Sequence, residues 1–199
     1  PFADSSSLAT YYLSKITRQE VTVALNGDGG DELFAGYERY TANKIANIYS
    51  LIPRFLRKGI SSVVQYLPES TNKKDFIKGF KRFAKGSYLS REKRYACWMS
   101  IFDNALKDNL YSQDLKNRLK GIDSWDYISD AYKQSDTKDF INTILFVDTL
   151  TYLPNDLLIK VDITSMANSL ESRSPFLDHK LMEFAATIPS NLKLKGITT

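Results

Sequence analysis

The segment Val21-Thr22-Val23-Ala24-Leu25 runs straight into Asn26-Gly27-Asp28-Gly29-Gly30-Asp31-Glu32, and no other stretch restricts the fold as much. Its first five residues are β-branched and almost wholly apolar, the pattern of a strand covered on both faces in a parallel sheet. Leu33 opens a helical pattern, and an earlier one follows the cap residues Asp4 to Ser7, with Leu8, Tyr12 and Ile16 at helical intervals. Helix, strand, glycine loop, helix is the order of an α/β fold. After Tyr37 the pattern is a succession of helices, with breaks expected at Pro53, Gly59, Pro68, Gly86 and Gly121. Trp98, Phe102, Trp125, Tyr127, Tyr132, Phe140 and Phe146 are spaced as helix-packing residues. The expected class is therefore α/β, predominantly helical, with one clear buried parallel strand over 21–25. One strand makes no sheet, so its partners must come from outside the chain or from segments without a readable strand pattern.

Composition narrows the function classes. A length of 199 residues, 43% hydrophobic and 25% charged, suits one well-cored globular domain. No apolar run approaches the ~18 residues of a membrane span. The single Cys97 and single His179 leave no internal disulfide and no ordinary zinc site, and a cytoplasmic location is the default. The chain lacks an initiator Met at Pro1 and a natural finish at Thr199, so both ends read as cut boundaries. From Lys73 to Arg94, nine basic residues face only Asp75 and Glu92, a local +7 within a total of +4. Such a run can attract RNA. Phe76, Ile77, Phe80, Phe83 and Ala84 at helical spacing favour a core-facing stripe with its lysines solvated.

The loop carries the chemistry. Ligands of open α/β sheets bind at the carboxyl ends of strands, where this loop lies. Gly27, Gly29 and Gly30 allow positive φ and close backbone approach, and successive N–H groups can cradle an anion. Asp28, Asp31 and Glu32 would repel a phosphate unless a divalent cation lies between, and magnesium typically takes one or two carboxylates plus phosphate oxygens. The same residues also suit a capped turn, with Asp28 or Asp31 as N-cap and Glu32 in the first helical turn. The loop matches neither a Walker A loop nor the G-x-G-x-x-G fingerprint.

A second block runs Leu157-Leu158-Ile159-Lys160-Val161-Asp162, then Met166-Ala167, then Ser169-Leu170-Glu171-Ser172-Arg173-Ser174-Pro175-Phe176-Leu177-Asp178. Asp162, Met166 and Leu170 share a helical face, which makes Met166 and Leu170 core. Glu171 and Arg173 flank a turn and can form a buried bidentate pair. Pro175 imposes extended geometry on Ser174, and Asp178 caps a helix beginning at an exposed His179.

Together the blocks resemble the glutamine-dependent asparagine synthetases. The first is similar to the family's S-G-D/E-G-x-D-E-x-F-x-G-Y loop, and the second to its K-x-D-x-x-S-M-x-x-x-L-E-x-R-x-P-F-L-D segment. Asn26, Ile163 and Ser174 depart from the usual Ser, basic residue and Val. The resemblance implies that residues 1–199 are an internal piece of the synthetase domain, an adenine-nucleotide alpha-hydrolase-like (N-type ATP pyrophosphatase) fold. It implies ATP and magnesium as cofactors, aspartate and glutamine-derived ammonia as substrates, and a separate glutaminase domain. Asp31 then matches the position that helps hold magnesium, and Asp28 the position near the aspartyl-adenylate and incoming amine. Asn26, Gly27, Gly29, Gly30 and Glu32 shape the loop, while Asp162, Glu171, Arg173 and Asp178 support it. The family's S-G-G-x-D-S pyrophosphate loop is expected before residue 1 and a phosphate-contacting lysine after Thr199, so residues 1–199 alone are not expected to make asparagine. A homodimer stays open. The alternatives are a relative amidating another carboxylate and a helical RNA-binding module.

Overall fold

A computed structural model describes residues 2, 4–53, 55–57, 59, 81, 83–84, 86 and 89–196. The chain packs as two compact units, one of residues 1–37 with 135–199 and one of residues 38–134. Most of the basic stretch, with Phe76, Ile77 and Phe80 and the break at Pro68, lies outside the described residues.

The first unit is mainly helical with a small parallel sheet. Helix α1 (Ser6–Glu20) precedes strand β1 (Val23–Leu25), which pairs with β2 (Glu171–Arg173) in the register Val23 to Glu171, Ala24 to Ser172 and Leu25 to Arg173. The expected strand is thus parallel, but it is shorter than 21–25 and is not buried on both faces. Val21 and Val23 are exposed, and Leu25 is 73% exposed. Among the described residues the sheet has two strands, and an apolar strand is covered only where neighbouring strands and helices flank it.

The helical stripe read on α1 also turns outward, because Leu8, Tyr12 and Ile16 are all exposed. The packed side is the small and polar one around the buried Ser14. There Asn168 Nδ2 donates to the Tyr11 carbonyl at 3.3 Å and Arg18 Nε to the Ser169 carbonyl at 2.9 Å. Small side chains let two backbones approach closely enough for such bonds, which a leucine face would prevent.

A long helical run follows in the same unit. The helix Phe140–Leu150 supplies the buried Ile141, Ile144, Leu145 and Val147, and Asp139 caps it by accepting from Asn142 N at 2.8 Å. The run widens to a π-turn at Leu153–Leu157, where Pro154 offers no N–H to the ladder, and resumes as Leu158–Met166. Leu170 is buried as expected, whereas Met166 is 60% exposed, on the open side of its helix. Asp178 caps the helix His179–Thr187 by accepting from Lys180 N at 3.0 Å and Leu181 N at 3.2 Å, and His179 is exposed.

In the second unit, the helices Glu38–Tyr49, Arg91–Met99, Asn104–Leu110, Gln113–Arg118 and Asp126–Gln134 enclose Tyr40, Ala46, Tyr95, Ala96 and Ala131. Ser90, Asp103 and Ser112 cap three of them through their side-chain oxygens. Arg94 breaks the expectation of a solvated basic face. It is 2% exposed, its guanidinium donates to Asn47 Oδ1 at 2.6 Å, and it lies 5.9 Å from the Trp98 ring centroid. Trp98 stacks on Phe83 and Trp125 Nε1 donates to Ser100 Oγ, but Phe102 and Tyr127 here, and Phe146 in the first unit, stay exposed. Gly121 is a true break at φ 84°, while Gly59 and Gly86 are helical. A Cβ on Gly86 would meet the Trp98 indole, so that glycine serves packing. Among the described residues no helix is long and apolar enough to cross a membrane.

Candidate active site

The site begins where β1 ends. Asn26 N donates to the Arg173 carbonyl at 2.9 Å, extending the ladder by one bond, and Asn26 Nδ2 donates to Ser172 Oγ at 2.7 Å. Asn26 Oδ1 accepts from Asp28 N at 3.2 Å, an Asx-type turn that bends the chain back toward the sheet. The Ser174 hydroxyl closes the bend by donating to the Asp28 carbonyl. Pro175 holds Ser174 extended for this contact, at φ −109° and ψ 112°.

Only one of the three loop glycines is sterically required. Gly29 sits at φ 89°, and a Cβ there would lie 2.7 Å from Leu177 Cδ2, whereas Gly27 has open space and Gly30 makes ordinary contact with Phe176. Gly29, and neither Asp28 nor Asp31, is the N-cap of the short helix Gly30–Phe34. Gly36 packs against Asp31, whose Oδ1 a Cβ on it would meet.

The three loop carboxylates diverge. Asp31 is exposed and leans over Gly36. Glu32 is only 1% exposed; its Oε1 accepts from the Tyr37 hydroxyl at 2.8 Å and its buried Oε2 has no hydrogen-bonding partner. Burial pushes its pKa up, the Tyr37 bond opposes that shift, and the Asp148 and Asp31 charges add to it. Asp28 turns into a cavity of about 320 Å³ whose walls include Asn26, Asp162, Ser165, Glu171 and Ser174. Its Oδ2 is buried without a partner. Burial raises the Asp28 pKa, with the Lys160 charge opposing.

The structure therefore gathers Asn26, Asp28, Asp162 and Glu171 around one cavity and leaves Asp31, Glu32, Arg173 and Asp178 off its walls. Glu171 and Arg173 do not flank a turn but lie on β2. Their contact is a single Nε to Oε1 bond of 2.5 Å between exposed side chains, neither bidentate nor buried. Residues i and i+2 of a strand share one face, and on this short strand that face is open to solvent, which is why the pair stays in water although Glu171 also borders the cavity.

Lys160, part of the second block, anchors the start of α1. It pairs with Asp4 Oδ2 at 3.1 Å and Ser6 Oγ at 3.0 Å, both ends of the ion pair being well covered. The Ser6 hydroxyl and amide, with Lys160 adding to them, hold the Asp4 carboxyl below its ordinary range. A single lysine inside the apolar run Leu157 to Val161 was the available signal.

Among the described residues no group of three or more His, Cys, Asp or Glu side chains could hold a metal, so an all-protein cage is not formed. An exposed single carboxylate such as Asp31 nevertheless fits magnesium, which draws its other ligands from phosphate and water. The cavity, with Asp28, Asp162 and Glu171 on its walls, favours a ligand that presents positive charge or N–H groups.

The comparisons with known proteins point one way. The family model described as asparagine synthase matches residues 1–199. The chain is 33% identical over 199 residues to the glutamine-hydrolysing asparagine synthetase 1 of Bacillus subtilis, covering all of this chain and 30% of that protein. It is 31% identical over 203 residues to a putative glutamine-hydrolysing asparagine synthetase of Mycobacterium bovis, covering all of this chain and 29% of that protein. A more distant relative, the amidase chyE of Penicillium rubens, is 23% identical over 221 residues, 98% of this chain and 30% of that protein. The chain thus spans about 30% of the length of these curated relatives. No solved structure matches it.

Proposed function

The chain belongs to the asparagine synthase family, and from that premise we propose that the intact protein forms asparagine by amidating the side chain of aspartate. In this reading ATP activates the aspartate side-chain carboxylate as β-aspartyl-AMP with loss of pyrophosphate. Ammonia released from glutamine, in a glutaminase domain outside residues 1–199, attacks the activated carbonyl carbon, and AMP leaves with the electron pair of the broken C–O bond. Residues 1–199 then form part of an N-type ATP pyrophosphatase domain acting in the cytoplasm.

The observation that carries the reading is the buried, unpartnered Asp28 Oδ2 facing a cavity at the end of β1. Asp28 accepts a hydrogen bond from the incoming amine and takes up the proton the nitrogen loses as the amide forms. A carboxyl with its pKa raised by burial is a better proton acceptor than one in water. Asn26 and Ser174 fix the turn that presents it, and Gly29 lets Leu177 pack against the backbone. Asp31 offers one carboxylate to magnesium, which neutralises phosphate charge when bound.

Asp28→Asn in the intact protein is expected to lower kcat for amide formation at least ~100-fold, the usual scale for a general base. An unchanged kcat refutes the assignment. Asp31→Asn is expected to raise the KM for Mg-ATP, and wild-type kinetics in that variant would remove Asp31 from the site. The similarity to a protein named an amidase supports a second reading, amidation of a different carboxylate, which a substrate screen at fixed ATP and glutamine separates from the first.

A further inference from the structure

The first unit holds a second cavity, of about 380 Å³, that shares no lining residue with the one at Asp28. A volume of that size lies within the ~300–1,000 Å³ typical of small-molecule sites. Its walls are chiefly apolar, with Leu33, Leu145, Phe146 and Met182, and two buried charged side chains interrupt them. One is Glu32, whose Oε2 is fully buried without a hydrogen-bonding partner. The other is Lys193, 7% exposed, whose Nζ donates to Asn142 Oδ1 at 3.3 Å and retains donors to spare. A buried carboxylate oxygen left unmatched is costly, and the penalty is relieved by a donor arriving in the cavity.

We propose that this cavity binds a free α-amino acid with an apolar side chain, its ammonium group on Glu32 Oε2 and its carboxylate on Lys193 Nζ. The side chain then covers Leu145 and Met182, which present carbon and no polar atom that must be satisfied. Asp136 and Glu183 also line the cavity, so three carboxyl groups accompany one ammonium and a purely anionic ligand is disfavoured. A simple alkylamine would satisfy Glu32 and leave Lys193 unmatched; a fatty carboxylate would do the reverse. Only a zwitterion of this shape meets both. Burial lowers the Lys193 pKa and raises that of Glu32, so each group gains from the opposite charge that the ligand brings. The inference does not depend on the amidation reading, since neither ATP nor aspartate enters it.

The test is calorimetric titration of the intact protein with L-leucine and L-methionine in the absence of ATP, aspartate and glutamine. Saturable one-to-one binding is expected. Isopentylamine, lacking the carboxylate, and 4-methylpentanoate, lacking the ammonium, should each bind at least tenfold more weakly than leucine. Glu32→Gln and Lys193→Met should each weaken leucine at least tenfold, and Met182→Trp, which fills the cavity, should abolish binding, with circular dichroism verifying that each variant folds. No binding of either amino acid up to millimolar concentration overturns the proposal. So does equal affinity for leucine and 4-methylpentanoate, or undiminished affinity in a folded Met182→Trp protein. If a variant fails to fold, the ligand series on the wild-type protein still decides.

Discussion

The two units bury charge in opposite ways. Among the described residues of 38–134 the buried ions are the guanidiniums of Arg57 and Arg94, and Arg94 is held by Asn47 and lies against the Trp98 ring, with its Nε left without a partner. In the unit of residues 1–37 and 135–199 the buried ions are mainly carboxyl groups, and those of Asp28 and Glu32 each keep one oxygen without a partner beside a cavity. A cation tied from one helix to the next, as Arg94 is to Asn47, fixes helix positions. A carboxylate with a free lone pair raises the free energy of the folded state until something arrives to meet it. Both units leave buried polar atoms unmatched, Arg94 Nε in one and Asp28 Oδ2 and Glu32 Oε2 in the other; the difference is that these carboxyl groups border cavities, in the unit that bears both motif blocks and on which the proposed chemistry draws.

Three stability measurements can break that contrast. The largest effect is expected from Asn47→Leu, which strips Arg94 of its acceptor and should destabilise the protein by about 1.5–3 kcal/mol in urea unfolding, the range for hydrogen bonds to charged groups. A loss below the error of the fit would mean that Arg94 is not a tied ion. Lys160→Met comes next. It removes the well-covered pair with Asp4 that pins the start of α1, and a loss of roughly 1–2 kcal/mol is expected, with faster amide exchange confined to α1. Uniform exchange across the first unit would contradict the pinning role.

The smallest effect has the opposite sign. Asp28→Asn, expected to be nearly inactive, should stabilise the fold by up to about 1 kcal/mol at neutral pH, because it removes a buried unpaired charge. The folded pKa of Asp28 is raised above its ordinary 3.8, so the folded state holds this proton more tightly than the unfolded chain. Wild-type stability attributable to Asp28 therefore falls as pH climbs from 3.8 through the raised value. The gap between variant and wild type should vanish below that window and be full above it, a dependence that thermal melts across acid to neutral pH can read. A variant less stable than wild type at pH 7 would place Asp28 among the tied ions after all.

The parts of this architecture legible in the sequence were those whose signal is local. The strand-to-loop handover at Leu25 and Asn26, the extended Ser174 before Pro175 and the Asp178 cap each follow from short-range sterics or one hydrogen bond, whereas three loop glycines could take positive φ and only Gly29 does. What stayed illegible was decided by distant partners. Glu171-Ser172-Arg173 has no strand-forming composition and becomes β2 only because β1 offers it a ladder. The packed face of α1 had no readable signal, because Ser14 and its neighbours gain from the close approach of the chain around Asn168, an advantage hydropathy cannot register. Arg94 reads as one of a run of solvated cations until Asn47 is seen beside it, and Lys160 has no readable role until Asp4 is. The acidic loop looked like one cluster because its residues are adjacent in sequence, yet a turn and a helix start send Asp28, Asp31 and Glu32 in three directions.

The bond between Asn26 and Ser172 joins positions 146 residues apart, and residues 38–134 form a unit of their own inside that span. The entropy of closing such a span grows only logarithmically, by roughly 0.6 kcal/mol for each doubling of its length. Evolution is therefore free to lengthen, shorten or rewrite the excursion while the two short segments that meet beside Asp28 keep their register, which makes residues 38–134 the natural ground for divergence among proteins that share this chemistry.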